Sequence, residues 1–584
     1  MFRVILWGHH QTSIREASAL PRQTFPMENR METADHRLPL PAAGLCIFAG
    51  LLPFAVSMSL HQSHLAAKQL LLVGGAAVFA LLFACSARTV PVTPLWWPIG
   101  LLATVSALNA WQAPRVDTAA SLSAALILFS VSAWALDTRT ARDRLADVVT
   151  ATAAFEAAYV LCQAFWMDPL FAPSVLHGKW RSYGTFGNPN WAGEYLAMAL
   201  LVTMGRLASA WSRARAAAVA LIAAGLAATF ARGAWLACAI GLLAMLLTWR
   251  GGIPRNRRIA LAAAALAGIA IVAILALRPD MFQYLANVAS IRGRFWLWYV
   301  TFHVIAAHPL GVGLGLFEVR FAEMQAQCFQ TDFGRKFLSS ASFPLQAHND
   351  YLQIAAEAGL PALLAAAALT FLIVRRGRAL STDGAALGFW AAVVAMMVNA
   401  LYAFPFFLPG CVALCAIFLG AAEAGLATRH ALPPSRLLRL AACTGVLAGA
   451  LVAWHWCWRY AASEHALRRA NSAISRQSWD RAAADVERAL QNDPHRLEAH
   501  YLSGHLSLVR EDYVSANAAF DRAARLGYKA EVFTEKSAAL WRTQRGGEAI
   551  AELEKLLWLR PDDDAVRKRI LRMRSLMTGS RETP

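Results

Sequence analysis

The sequence predicts an all-α fold: a polytopic membrane helix bundle of about 12–13 spans, a large loop at its outer face and a C-terminal helical repeat domain. Three observations predict it. The first 458 residues are a succession of apolar stretches with one long polar interruption, from Arg278 to Tyr351. Basic residues alternate between the loops that join those stretches. Beyond residue 458 the composition turns soluble, and a pattern repeats at offsets of 34 and 33 residues.

Composition sets the class. Of 584 residues, 57% are hydrophobic and only 16% charged, with a mean hydropathy of +0.41, values that belong to membrane proteins. The net charge of +18 comes from arginines in short inter-span loops, so it follows from membrane orientation and does not point to nucleic acid. Eight of the nine cysteines lie in or beside apolar segments and act as small hydrophobes. Cys328 stands alone in the large loop. With no CxxC and no Cys/His zinc spacing, neither a disulfide framework nor a metal site is expected, and no cofactor.

Residues 1–38 are polar and Arg-rich, reading as a cytoplasmic tail in which Met27 or Met31 is an alternative start. The apolar segment after it lacks a signal-peptide cleavage site and is expected to stay as the first span. A span needs about 20 apolar residues, which gives thirteen: 39–59, 67–87, 95–111, 118–136, 145–165, 190–208, 215–231, 233–249, 259–277, 351–374, 385–404, 406–425 and 438–458. The seventh and eighth, parted only by Arg232, read as a tight hairpin. Even-numbered loops carry the arginines (Arg88; Arg139, Arg142 and Arg144; Arg206, Arg213 and Arg215; Arg375, Arg376 and Arg378 among them). This places those loops and the N-terminus on the cytoplasmic side of the membrane, with the large loop (278–350) and residues 459–584 outside.

In the last segment Ala482, Val486 and Ala489 recur as Ala516, Phe520 and Ala523, then as Ala549, Leu553 and Leu556. Pro494 and Pro561 follow the first and third sets, and Gly504 falls where a first helix must pack closely. The pattern resembles the tetratricopeptide repeat, with two or three copies over about 463–575. A partner protein is the expected ligand of such an appendage.

The chemistry-bearing residues gather on the odd-numbered loops. In HGKWRSYGTFGNPNWAGEYLAM, Gly184, Gly187 and Pro189 make a turn, Asn188 or Asn190 caps the next helix, and Lys179 and Arg181 precede it. Arg232 is a lone cation at the outer boundary, either snorkelling to head groups or turned inward to an anion. Arg294 opens an amphipathic helix with Trp298 and Thr301 on its face, and Arg292 competes for the same role. Guanidinium groups hold phosphate through paired hydrogen bonds and keep their charge. Trp296 and Trp298 are expected to rest this helix on the membrane interface.

HPLGVGLG (308–315) lacks the strand and βαβ setting of a nucleotide loop and reads as a tight turn against a ligand or another helix. His348, followed by Asn349 and Asp350, is placed to accept a proton from a hydroxyl. Glu357, inside the tenth span, is expected to orient an arginine, and Glu156 and Glu194 are lesser candidates for that task.

Five pieces, GTFGNPNWAGEYL, ARGAW, RGRFWLW, HPLGVGLGLF and HNDYLQIAAEAGLP, together resemble the O-antigen ligase and polymerase superfamily over about residues 180–361. The resemblance implies a metal-independent glycosyltransferase that takes a glycan from an undecaprenyl-diphosphate carrier and passes it to a hydroxyl of lipid A-core or another glycan. It assigns His348 as the base, Arg294 and Arg232 as the diphosphate clamp, and Arg181 as an addition to it. Arg292, Asn190, Asn349 and Glu357 are the remaining substrate-side candidates. A polymerase, a protein O-oligosaccharyltransferase and a lipid-linked glycan transporter without chemistry are the alternatives, the last having no need of a base at 348.

Overall fold

A computed structural model describes residues 38–110, 116–165, 167–168, 181–250, 288–340, 343–432 and 435–578. The polar tail, Lys179, the expected ninth span at 259–277 and the first residues of the large loop lie outside them. The first eight helices are α1 (Leu40–Leu51), α2 (Leu65–Ser86), α3 (Trp96–Ala110), α4 (Val116–Ala135), α5 (Arg139–Ala164), α6 (Pro189–Ser209), α7 (Arg213–Ala228) and α8 (Arg232–Thr248). The large loop contributes α9 (Val288–Ala307), α10 (Phe317–Cys328) and α11 (Asp332–Arg335). The bundle is completed by α12 (Asp350–Ala358), α13 (Leu360–Arg376), α14 (Gly384–Asn399), α15 (Pro409–Glu423) and α16 (Arg436–Ser475). Six more follow: α17 (Trp479–Asn492), α18 (Leu497–Val509), α19 (Tyr513–Leu526), α20 (Ala530–Arg542), α21 (Gly546–Leu559) and α22 (Asp564–Thr578).

The fold is all-α, and the twelve expected spans that lie within the described residues each fall on helix. Among the described residues, five helical stretches are long and apolar enough to cross a bilayer: Leu65–Ser86, Thr118–Ala135, Arg139–Ala164, Leu360–Leu380 and Arg436–Ser475. The chain is a multi-pass membrane protein. Polar residues stop the solvent-side loops and start the helices: Thr138, Asn188, Ser212, Asp383 and Ser435 each accept a backbone N–H as N-cap. Buried along almost its whole length, α6 forms the centre of the bundle. It meets α14 so closely that a Cβ on Gly205 would sit 2.3 Å from the Gly384 carbonyl, the small-residue contact that lets membrane helices pack without a hydrophobic driving force. Both α7 and α8 pack on α6.

Even-numbered and odd-numbered connections separate to the two ends of the bundle. At the even end Arg142 pairs with Asp383 at 2.9 Å, Arg215 with Asp147 at 2.9 Å and Arg376 with the buried Glu423 at 2.7 Å. There too, the two short strands β1 (Thr89–Val92) and β2 (Thr428–Ala431), which the sequence did not announce, pair antiparallel with Thr89 opposite Ala431.

The tenth span is not one helix. It breaks at Gly359 (φ +87°) between α12 and α13. The turn of HPLGVG is laid into the break: Val312 N–H donates to the Ala356 carbonyl, Gly313 N–H to Glu357 and Leu360 N–H to Pro309. A Cβ on Gly311 (φ +94°) would lie 2.4 Å from the Glu357 carbonyl oxygen. These glycines serve a backbone-to-backbone contact, which satisfies the polar groups that a helix end would otherwise leave bare in a membrane.

The large loop folds around its own core. Trp296 is buried, stacked on Phe329 at 4.9 Å and Phe337 at 5.2 Å, and donates from Nε1 to Gln325 at 3.1 Å. Trp298 donates to the Ala347 carbonyl. The expected interfacial anchoring by these two residues is therefore replaced by interior packing, since α10 and the 329–337 segment cover the face of α9 that carries Trp296.

Past residue 458, α16 continues without a break to Ser475 and packs on α17. The recurring set Ala482, Val486, Ala489, Ala516, Phe520, Ala523, Ala549, Leu553 and Leu556 is buried throughout. A Cβ on Gly504 would be 2.5 Å from the Phe520 ring. Gln477, Glu511 and Gln544 share a left-handed backbone, at the same offsets. Each closes a helix by the same motif, in which the N–H of the following residue (Ser478, Asp512, Arg545) reaches the carbonyl five residues back. The repeat is thus written in the helix ends as well as in the buried alanines.

Candidate functional site at the odd-loop end of the bundle

Four connections meet at the odd end: the turn before α6, the 229–231 turn between α7 and α8, the 343–349 segment leading to α12, and the 400–408 turn between α14 and α15. Arg181 ties the first two. Its Nε donates to the Thr229 carbonyl at 3.1 Å, and its terminal nitrogen donates to Asn190 Oδ1 at 2.9 Å and to the Phe230 carbonyl at 3.2 Å. Phe230 holds a left-handed backbone (φ +52°), an uncommon state for a bulky side chain, and two residues later Arg232 opens α8, half-buried.

The 400–408 turn joins the other two. Tyr402 Oη donates to the Gly233 carbonyl at 2.9 Å. Asn349 caps α12 through Oδ1 and donates from Nδ2 to the Leu401 carbonyl at 2.9 Å. Asp350 N–H donates to the Ala400 carbonyl, and Phe406 N–H donates to the Asp350 carboxylate at 3.0 Å.

His348 stands between these bonds with a left-handed backbone (φ +49°). Its ring meets the Phe404 ring edge-on at 4.9 Å, and its nitrogens make no hydrogen bond among the described residues. Its neighbour Ala347 is clamped from both sides, with its carbonyl taking the Trp298 bond and its N–H donating to Gln353 Oε1 at 2.7 Å. Gln353 in turn donates to Glu357 at 2.9 Å. Through Gln353, Glu357 thus steadies the backbone in front of His348. Backbone strain of this kind persists only where the surroundings over-determine it.

Arg294 lies on α9 one turn before Trp298, so both share the face turned to residues 347–348. Its positive charge reaches the His348 ring and Tyr402. Burial, and then this charge, push the imidazole from its ordinary 6.5 to about 4, which keeps it neutral and able to accept a proton at neutral pH. Arg292, two residues earlier and so turned about 200° away, is bound to the Lys336 carbonyl and lies over the Phe337 ring at 5.2 Å.

The structure thus brings Arg181, Asn190, Arg232, Arg294, His348 and Asn349 to one end of the bundle, and it directs Arg292 into the large loop. Glu156 receives the backbone and hydroxyl of Thr185, and Glu194 receives Asn399 at 2.8 Å and the Cys411 thiol, so both brace the turns around the site. Sequence reasoning missed Tyr402, Asn399 and Phe404. The available signal was ALYAFPFFLP, an aromatic-rich connection on the same side as the large loop. Among the described residues no group of His, Cys, Asp and Glu is arranged to hold a metal ion.

No curated protein matches the chain. Residues 217–367, from α7 to the first turns of α13, match the family model described as O-antigen ligase. This stretch holds Arg232, Arg294 and His348, and over it the chain is similar to that family.

Proposed function

We propose that the chain is an O-antigen ligase-like glycosyltransferase, which moves a glycan from an undecaprenyl-diphosphate carrier to a hydroxyl of lipid A-core or of another glycan at the periplasmic face of the inner membrane. The observation that carries this reading is the juncture at Tyr402, whose hydroxyl is bound to the residue after Arg232, while the Arg294 charge acts on both Tyr402 and the His348 ring and Phe404 of the same turn meets that ring.

In this reading Arg232 and Arg294 receive the diphosphate. A guanidinium pair stabilises charge that grows on the leaving group as the anomeric bond breaks, and it does so in a site partly closed to water. Polyprenyl diphosphate leaves readily once its charge is held, so positioning and charge stabilisation supply most of the acceleration. The neutral His348 takes the proton of the acceptor hydroxyl as its oxygen attacks the anomeric carbon from the opposite face. A single displacement of this kind inverts the anomeric centre. Arg181, Asn190 and Asn349 hold the turns that carry the reacting groups.

The test is purified protein in lipid with a diphosphate-linked glycan donor and a panel of acceptors: lipid A-core, glycan and protein. Transfer by the wild type, lost in His348→Ala, is the expected result, with the preferred acceptor separating ligase, polymerase and protein glycosylation. Donor binding without transfer to any acceptor would mean a carrier, and product of retained configuration would overturn the single displacement.

A further inference from the structure

The repeat helices do not project away from the large loop. Ala322 and Ala326 of α10 pack into the same core as Phe533, Ala549, Ile550 and Leu553. Phe343 stacks on Tyr528 at 6.1 Å, and Tyr528 on Phe533 at 5.9 Å and 10°. The seam leaves a cavity of about 300 Å³ lined by Glu323 and Gln327 from the loop and by Tyr528, Phe533, Lys555 and Trp558 from the repeats.

Its lining is chemically specific. Aromatic faces form one wall, and Trp558, 42% exposed, stands at its edge. Glu323, paired with Arg320 at 2.9 Å, and Lys555, paired with Glu552 at 2.9 Å, keep the charge of the lining balanced and offer their remaining acceptor and donor positions beside the exposed Gln327 amide. A diphosphate would need the cationic excess found at the other site, and a lipid chain would need an unbroken apolar lining. A sugar fits both halves, since its C–H face lies on an aromatic ring while adjacent hydroxyls bond a carboxylate or an amide. The volume is at the small end of ligand sites, which run from about 300 Å³, so it admits sugar rings and not a folded segment.

We propose that this seam is an oligosaccharide-binding subsite, which holds a glycan of the transfer reaction beside the large loop. The proposal rests on the transferase reading for its ligand, but its binding readout is independent of turnover. The lining belongs to two separate parts of the chain, so the subsite exists only while the repeats are docked on α10.

The experiment uses the full chain in detergent and two probes: core oligosaccharide freed of lipid A, and the donor glycan released from its carrier. Saturation-transfer NMR reads binding to wild type, Trp558→Ala, Trp558→Phe and Gln327→Ala. The expected result is a probe signal in the wild type that is lost in Trp558→Ala and kept in Trp558→Phe. In turnover, Trp558→Ala and Gln327→Ala are expected to raise one KM by about fivefold or more with kcat nearly unchanged. A change in the acceptor KM assigns the subsite to the acceptor, and a change in the donor KM assigns it to the donor chain. No binding of either probe to the wild type, or both KM values unmoved in Trp558→Ala, would overturn the proposal. If the wild type binds a probe but transfers to no acceptor, the transferase reading fails while the subsite stands.

Discussion

The Tyr402 hydroxyl donates to the Gly233 carbonyl at 2.9 Å, so the turn that touches His348 also fixes the start of the helix that Arg232 opens. A Cβ on Gly233 would lie 2.8 Å from the Tyr402 ring, and the two segments are held by shape as well as by the bond. Tyr402→Phe keeps the shape and removes the bond. One such bond is worth ~0.5–1.5 kcal/mol, so Tm should fall slightly and transfer by up to about tenfold. A variant with full transfer would show that the link between the two turns does not matter to the reaction.

His348 makes the pH profile informative. Its folded-state value of about 4 lies below the ordinary 6.5, so between these values the unfolded chain takes up a proton that the folded chain refuses. Stability from this residue is therefore fully present above about pH 6.5 and is lost as pH falls toward 4. In the free enzyme the acid limb of kcat/KM should sit near the low value. A bound diphosphate neutralises the Arg294 charge, which raises the imidazole pKa, so the acid limb of kcat should lie at higher pH than that of kcat/KM. Coincident limbs would sever His348 from the bound phosphate.

The break in the tenth span should tolerate no side chain on its inner side. Gly311→Ala would place a Cβ 2.4 Å from the Glu357 carbonyl oxygen, in a backbone of φ +94°. Gly359→Ala would place one 2.5 Å from the Leu310 backbone. Each is expected to destabilise by more than the ~1 kcal/mol of a simple left-handed penalty, read as a clear drop in detergent Tm. An unchanged Tm in both would mean that the turn and the break do not meet in the folded protein.

Docking of the repeats can be tested at a fully buried alanine. Ala326→Glu places a charge in the core shared by α10, Leu553 and Ile550, a cost of several kcal/mol that separation of the two parts relieves. Limited proteolysis should then release the repeats, and transfer should fall, because α10 supports α9 through Gln325 and Trp296. Ala326→Ser should behave like wild type. Unaltered proteolysis and transfer in Ala326→Glu would place the repeats elsewhere.

Much of this was legible in residue order. Apolar length and alternating arginines marked the spans, because a bilayer demands both. The buried alanines and Gly504 announced paired helices, because only small residues permit such approach. The glycines of HPLGVG correctly pointed to a close backbone contact. The break at Gly359 was hidden, since a single glycine in an apolar run has the same hydropathy on either side of a break. Trp296 and Trp298 misled because an aromatic beside a membrane suits either an interface or a folded loop, and only α10 decides between them. Tyr402 was out of reach for another reason: its partner, Gly233, is distant in the chain and contributes only a carbonyl.

The 40 residues of α16 form a rod of roughly 60 Å, bonded to α2 through Trp454 and Cys457 and to the α1–α2 connection through Glu464. A rod of this kind transmits angle as well as distance. Inserting one residue midway would swing everything beyond it by about 100° and carry the Leu553 face away from Ala326, whereas seven, close to two whole revolutions, would nearly restore the bearing. The number of residues between bilayer and repeats is therefore under a rotational constraint that neither hydropathy nor side-chain identity along that rod records.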